Sequence, residues 1–435
     1  MERVITKSLL QWKEKSNRKP LIVRGARQTG KSWTITTFGK DHFEGTTHIL
    51  NFEKRPDLHQ VFELNFEIPR IIAEIEILLN KKITPGKDLL FFDEIQECPK
   101  AIVSLRYFYE QIPDLHLIAA GSLLEFSLND IPFPVGRVQL LNMYPMSFHE
   151  FLNASGKAIV ADLIMDTPKQ LSESVHLMLI DELRKYFFVG GMPECVKIYI
   201  ETNSLQEVFE IQSDLISTFR QDFNKFAGKA DTRCLDIVLL NASQKVGEQI
   251  KYTEMADGFS SPTIKKAFIL LETARLYKRV RASSPAGIPL GASASEKKFK
   301  AVMLDIGLMA NLNGLNISKE YLKSDLLSIF RGAMAEQFVG QEILAATNDD
   351  LYYWAREAAS SSAETDFLVE KLGKVIPIEV KSGKSGSLKS LHLLLETYKN
   401  VENAYVFSNA AFGQISEQKI TFLPLYYTAS AVTSS

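Results

Sequence analysis

The sequence predicts an α/β protein whose first third is a parallel sheet with helices on both faces, and three observations predict it. Short apolar runs at 20–24, 47–52, 88–93, 115–120 and 138–142 read as strands, separated by longer helix-like stretches such as Val61 to Leu79. The run Leu21-Ile22-Val23-Arg24 leads into a glycine-bearing loop and then a segment able to continue as a helix. The run Leu89-Leu90-Phe91-Phe92 is apolar at every position, the pattern of a strand covered on both faces.

The loop after the first strand reads Gly25-Ala26-Arg27-Gln28-Thr29-Gly30-Lys31-Ser32, the full G-x-x-x-x-G-K-[ST] pattern. Glycines let a backbone curl so that its N–H groups face phosphate oxygens, and the helix start adds a favourable dipole. At average residue frequencies the four fixed positions coincide at roughly one site in thirty thousand. Gly25, Ala26, Arg27, Gln28, Thr29, Gly30, Lys31, Ser32 and Trp33 are therefore the expected ATP-binding set. Lys31 is expected on the β- and γ-phosphates and Ser32 on Mg²⁺.

About sixty residues later, the third strand ends in Asp93-Glu94. Carboxylates at the C-terminal end of a parallel strand face the nucleotide crevice. Asp93 is expected to hold Mg²⁺ with Ser32, and Glu94 to orient and deprotonate the attacking water. The fourth strand ends in Gly121-Ser122, where a small hydroxyl either contacts the γ-phosphate or the water, or simply makes a turn. Arg137, in Pro134-Val135-Gly136-Arg137, is either an ordinary surface arginine or a cation at the crevice rim. Such a cation could serve its own nucleotide or that of a neighbour in a homo-oligomer.

The expected domains are a P-loop core over 1–146, a helical lid over 147–230, a winged-helix-like segment over 231–303 and an α/β nuclease-like domain over 304–435. The second contains one loop signal, Val189-Gly190-Gly191-Met192-Pro193-Glu194, and is expected to pack on the nucleotide domain. The third reads as helix, short helix, helix and hairpin, with Ser260-Ser261-Pro262-Thr263 as a helix start running on from Ile264 to Ala274. From Ile264 to Lys300 nine basic residues stand against two acidic ones. That excess suits either phosphate contacts or a solvated basic face. Residues 283–295, rich in Ser, Ala and Gly, read as a mobile wing tip.

In the last domain Asp366, Glu379 and Lys381 fit the pattern D-x(n)-E-x-K. Residues two apart in a strand share a face, so Glu379 and Lys381 point the same way, and Asp366 can meet them from the preceding hairpin strand. Two carboxylates would hold Mg²⁺ or Mn²⁺, with Lys381 stabilising charge at phosphorus and Glu336 completing the shell from a helix. The pattern is short, and taken alone a surface hairpin with ordinary charges explains it better. Thr365 stands where proline usually precedes the aspartate.

Composition is that of an ordinary globular protein, 46% hydrophobic and 23% charged over 435 residues. A net charge of −2 confines any nucleic-acid surface to a local patch. The three cysteines, Cys98, Cys195 and Cys234, have no metal or disulfide spacing and read as buried thiols. With neither a signal-peptide core nor an apolar run long enough to span a membrane, a cytoplasmic location is expected.

With these motifs the chain resembles a bacterial and archaeal family of AAA+-type P-loop ATPases whose C-terminal domain has long been of unknown function. The resemblance runs over roughly residues 15–410 and rests on Leu21–Ser32, Leu90–Glu97, Ala119–Leu124, Gly136-Arg137, Pro145–Phe151 and Gly190–Glu194. Leu304–Leu308, Arg331–Glu336, Glu364–Phe367 and Glu379–Gly383 carry it into the C-terminal part. It implies an AAA+ sheet, a winged-helix linker and a nuclease-like fold. It also implies Ser122 as a γ-phosphate sensor, Arg137 as a catalytic arginine, and Glu336, Asp366, Glu379 and Lys381 as one set. Two functions follow as expectations: ATP turnover coupled to DNA handling, or an ATP-dependent switch with an inert partner-binding or dimerising C-terminal module.

Overall fold

A computed structural model describes residues 3–122, 124–127, 133–134, 136–226, 231–315, 321, 332–356, 363–381 and 388–433. Leu123, Val135, Arg331, Ser382 and Gly383, quoted in motifs above, lie outside the described residues. The chain divides into two compact units, Glu2–Tyr144 and Pro145–Ser435.

In the first unit, α1 (Ile5–Glu14) precedes β1 (Leu21–Arg24), α2 (Lys31–His42), β2 (Thr47–Asn51), α3 (Ile68–Leu79), β3 (Leu89–Asp93), α4 (Pro99–Gln111), β4 (His116–Gly121) and β5 (Gln139–Asn142). The strands form one sheet in the order β2-β3-β4-β1-β5, every pair parallel. All five fall where the apolar runs predict them. Every residue of β3 is buried, as its unbroken apolar run requires. Phe92 is the hub on one face of the sheet, edge-on to Phe52 at 5.5 Å and to Phe62 and Phe108 at 5.7 Å. This packing fixes the strand that delivers Asp93 and Glu94, and truncating Phe92 would cost about 3–5 kcal/mol.

The second unit begins with five helices, Phe148–Ala154, Ala158–Met165, Glu173–Val189, Pro193–Thr202 and Leu205–Phe226. Ser147 and Glu150 cap the first reciprocally, each side chain accepting the other's backbone N–H. Helices Thr232–Gln244 and Ser261–Thr273 follow, the latter capped by Ser260 as its sequence predicts. Then come β6 (Tyr277–Ala282), β7 (Phe299–Met303), the helices Ile306–Leu312 and Ala333–Thr347, β8 (Leu351–Ala355), β9 (Glu364–Lys371), β10 (Lys374–Val380), the helix Lys389–Thr397, β11 (Ala404–Ser408), β12 (Gly413–Ile415) and β13 (Ile420–Pro424).

Two expectations change here. The β6–β7 hairpin is not a separate wing, because β6 pairs in parallel with β8. It extends one eight-stranded sheet of order β12-β13-β11-β10-β9-β8-β6-β7, so a boundary at 303/304 would cut a continuous hydrogen-bonded layer. The segment 283–295 is anchored, with Leu290 fully buried and its N–H donated to Glu370 at 2.6 Å. Composition reads the small residues of that loop but not the one leucine that pins it.

The Gly190-Gly191 signal also gains a physical account. Asp305 caps the helix Ile306–Leu312 through Leu308 N–H at 3.0 Å and accepts Gly191 N–H at 2.6 Å. A Cβ on Gly191 would stand 2.0 Å from the Met146 carbonyl oxygen, so no other residue fits. Gln341 accepts Ile306 N–H at 2.9 Å and donates to the Tyr186 hydroxyl at 2.7 Å. These bonds join the helical segment and the sheet into one unit.

Candidate nucleotide site

The loop after β1 is shaped by backbone before any ligand is considered. Gln28 and Gly30 lie at φ values of 63° and 91°, left-handed positions that turn the chain into α2. Gly25 runs so close to the end of β5 that a Cβ would stand 2.2 Å from the Met143 carbonyl oxygen. Arg3 donates to the Thr29 carbonyl at 2.9 Å, and the Thr29 hydroxyl donates to the Ala26 carbonyl at 3.0 Å, closing the loop on itself. No side chain caps α2, which begins at Lys31, so its first turn keeps the donor-rich end that binds anions. Lys31 is buried and its ammonium donates to the carbonyls of Gly25 and Ala26 at 2.9 and 2.8 Å. Trp33, in the same turn, is half exposed.

The two sequence motifs meet. Ser32 Oγ donates to Asp93 Oδ1 at 2.7 Å across 61 residues of chain. Asn51 Nδ2 donates to the other oxygen, Oδ2, at 2.8 Å, from the end of β2 directly opposite Asp93 in the ladder. A hydroxyl and a carboxylate held together are the hard oxygen donors that suit Mg²⁺. Glu94 follows in a left-handed conformation at φ 50° that turns it off the strand. Burial raises its pKa, opposed by the hydrogen bond from Gln96 Nε2 at 2.7 Å and by the charge of Lys31. Burial and the charge of Lys31 thus act on its carboxyl in opposite directions. Ser122 is buried immediately after β4, whose last residue Gly121 lies opposite Arg24, so it stands level with the start of the loop.

Arg137 is not brought to this group. It precedes β5, and Gln139 lies opposite Leu21, the first residue of β1. Arg137 therefore stands at the edge where β1 begins, whereas the loop leaves where β1 ends, roughly 13 Å away at 3.3 Å per strand residue. Its guanidinium pairs with Glu110 at 3.4 Å and lies over the Tyr109 ring. Closeness in sequence to a predicted strand does not say which end of the sheet a residue reaches. Sequence reasoning gave no role to Asn51, Gln96 or Arg3, although Gln96 lies within the Leu90–Glu97 match and Asn51 leaves a trace as the polar residue closing the strand beside the acidic one.

The four C-terminal candidates do come together. β9 and β10 form the expected hairpin, and Val380 N–H donates to Asp366 Oδ2 at 2.7 Å. Lys381 Nζ donates to Glu379 Oε1 at 2.7 Å. Glu336 enters from the first turn of the helix Ala333–Thr347. Burial, then the charge of Asp366, raises the pKa of both Glu336 and Glu379. A residue absent from the pattern stands among them: Lys300 of β7, with Nζ 3.2 Å from Glu364, 3.5 Å from Asp366 and 4.0 Å from Glu336. Among the described residues no three His, Cys, Asp or Glu side chains form a metal-binding group. The metal set expected at Glu336, Asp366 and Glu379 thus holds an ammonium among its acids.

The nine basic residues of 264–300 are likewise partly spoken for. Arg279 pairs with Glu272 at 2.5 Å, Lys278 and Arg281 with Asp350 at 2.5 and 3.0 Å, and Lys300 lies in the acid cluster. All three cysteines are buried free thiols. Among the described residues no helix is long and apolar enough to cross a membrane.

Residues 17–152 match a family described as an AAA domain. Residues 180–319 and 331–427 match two domains of unknown function. An uncharacterized protein of Haemophilus influenzae is 24% identical over 281 residues, 60% of this chain and 62% of that protein, so the match spans less than two thirds of the relative. A Walker-type ATPase of Pyrococcus abyssi aligns at 13% identity and a TM-score of 0.43, over 71% of this chain and 94% of its own. The RuvB Holliday junction branch migration motor of Thermotoga maritima aligns at 15% identity and a TM-score of 0.30, over 63% of this chain and 88% of its own. Residues 17–152 thus carry a domain of the AAA type.

Proposed function

We propose that the first unit binds ATP and hydrolyses it with Mg²⁺. The observation that carries this reading is the 2.7 Å hydrogen bond from Ser32 to Asp93, which joins the phosphate loop to the acid of a separate strand. Bound Mg²⁺ would neutralise phosphate charge, with Ser32 and Asp93 as its protein ligands. Lys31 and the first turn of α2 would hold the β- and γ-phosphates. Glu94 would take the proton of the attacking water, and Gln96 would orient it. Ser122, level with the loop, suits a contact to the γ-phosphate. Lys31→Ala should abolish ATP binding in calorimetry. Glu94→Gln should bind ATP but lose turnover by about 10²–10⁴-fold. Normal turnover in Glu94→Gln would refute the choice of base. In this reading Arg137 would meet a nucleotide only in a neighbouring copy of the chain.

The second unit would read out the nucleotide state, and two readings divide it. In one, ATP turnover drives DNA binding or processing, with Lys265, Lys266 and Lys297 as exposed phosphate contacts and a nuclease-like site at Glu336, Asp366, Glu379 and Lys381. In the other, the unit is a catalytically inert module that binds a partner. The ion pairs of Lys278, Arg279 and Arg281 favour the second, because a cation already paired gives less counter-ion release on DNA. Plasmid cleavage with Mg²⁺ or Mn²⁺, compared between wild type and Asp366→Ala, separates them. Cleavage lost in the variant establishes the first reading.

A further inference from the structure

Lys300 is enclosed on every side the structure describes. Its side chain is 4% exposed although it ends in a charge. Three carboxylates from two elements approach its Nζ, Glu364 and Asp366 from β9 and Glu336 from the helix Ala333–Thr347. The Tyr353 ring of β8 lies 5.3 Å from the same nitrogen, adding the negative face of an aromatic ring. The backbone also closes in at Gly247, where a Cβ would stand 2.7 Å from Glu336 Oε2. A buried ammonium is costly unless it is paired, and here the pairing is threefold.

We propose that Lys300 is the resident cation of this acid cluster, balancing the charge that a divalent ion would otherwise balance and barring such an ion from it. Mg²⁺ needs oxygens at about 2.0–2.1 Å in near-octahedral array. Asp366 and Glu336 already face the ammonium, so an ion bound between them would meet a like charge across nothing but carboxylate oxygens. Lys300 supplies a tie between β7, β9 and the helix Ala333–Thr347 instead of a reactive centre. The inference rests on the inert reading of the second unit and is independent of ATP turnover.

The test is Mn²⁺ binding to the nucleotide-free full chain, followed by electron paramagnetic resonance and by thermal unfolding with and without the ion. Wild type and Asp366→Asn should each show no bound Mn²⁺ and no shift in unfolding when the ion is added. Lys300→Ala should gain about one equivalent of Mn²⁺, lost again in the double variant Lys300→Ala/Asp366→Asn. If Lys300→Ala folds poorly, Mn²⁺ should restore its cooperative unfolding. An equivalent of Mn²⁺ on wild type that Asp366→Asn removes would overturn the proposal. So would a Lys300→Ala that folds without Mn²⁺ and takes up none, or one that Mn²⁺ fails to restore. Mn²⁺ bound by wild type without DNA cleavage would sink this inference alone. Cleavage lost in Asp366→Ala would sink the inert reading as well.

Discussion

Two buried lysines, one in each unit, are held in opposite ways. Lys31 rests on two main-chain carbonyls of its own loop, and Lys300 lies among three carboxylates. Carbonyl dipoles can be exchanged for phosphate oxygens at little cost, because the incoming group carries more charge than the one it replaces. Carboxylates cannot be exchanged so cheaply, since Asp366, with little of its side chain exposed, would lose its counter-charge. On the proposals above, the same side chain would bind a ligand in one unit and act as a structural counter-ion in the other, and the difference lies in its partners.

The contrast is sharpest in paired substitutions. Lys31→Ala should remove ATP binding while leaving unfolding free energy nearly unchanged. Lys300→Ala should leave ATP turnover intact and destabilise the second unit by about 3 kcal/mol, the usual loss when one partner of a buried ion pair is removed. Urea unfolding beside an ATPase assay checks both, and a Lys300→Ala that unfolds like wild type would erase the distinction.

A buried acid with no lysine paired to it among the described residues gives the third case. Glu342 accepts Phe148 N–H at 3.0 Å, and burial pushes its pKa from the ordinary 4.5 up to about 8. The native state therefore holds a proton that the unfolded chain releases, and this group makes stability fall as pH rises from about 4.5 to 8. Glu342→Gln should match wild type near the lower limit and exceed it at pH 8 by a few kcal/mol. Thermal unfolding across that range would show the two curves separating, and parallel curves would refute the assignment.

The smallest effect is expected at Gln96. Its amide holds Glu94, so Gln96→Ala should lower kcat about tenfold with KM nearly unchanged. An equal loss in Asn51→Ala would mean that orienting Asp93 matters as much as orienting the base.

The places of the five strands in the first unit were legible because a strand buried on both faces writes itself as an apolar run. Ser32 and Asp93 were legible because motif chemistry names both partners. The roles of Asn51 and Gln96 were not, since each touches a neighbouring acid and its own position names no chemistry. Lys300 was counted in a basic run; β8 and β6 stand between its strand and β9, and only the reach of its side chain brings it to Glu364 and Asp366. The two readings of Arg137 stayed open in the sequence because register, not sequence distance, decides which end of a parallel sheet a residue occupies.

The joining of β6 to β8 sets an order of events during synthesis. The hairpin ending at Met303 leaves the ribosome about fifty residues before Leu351, the start of the strand that flanks it. At 5–20 residues per second that interval lasts several seconds. Until then one side of β6 offers unpaired amides and carbonyls to whatever strand arrives first. Sequences that slow translation in this stretch should lower the yield of soluble protein.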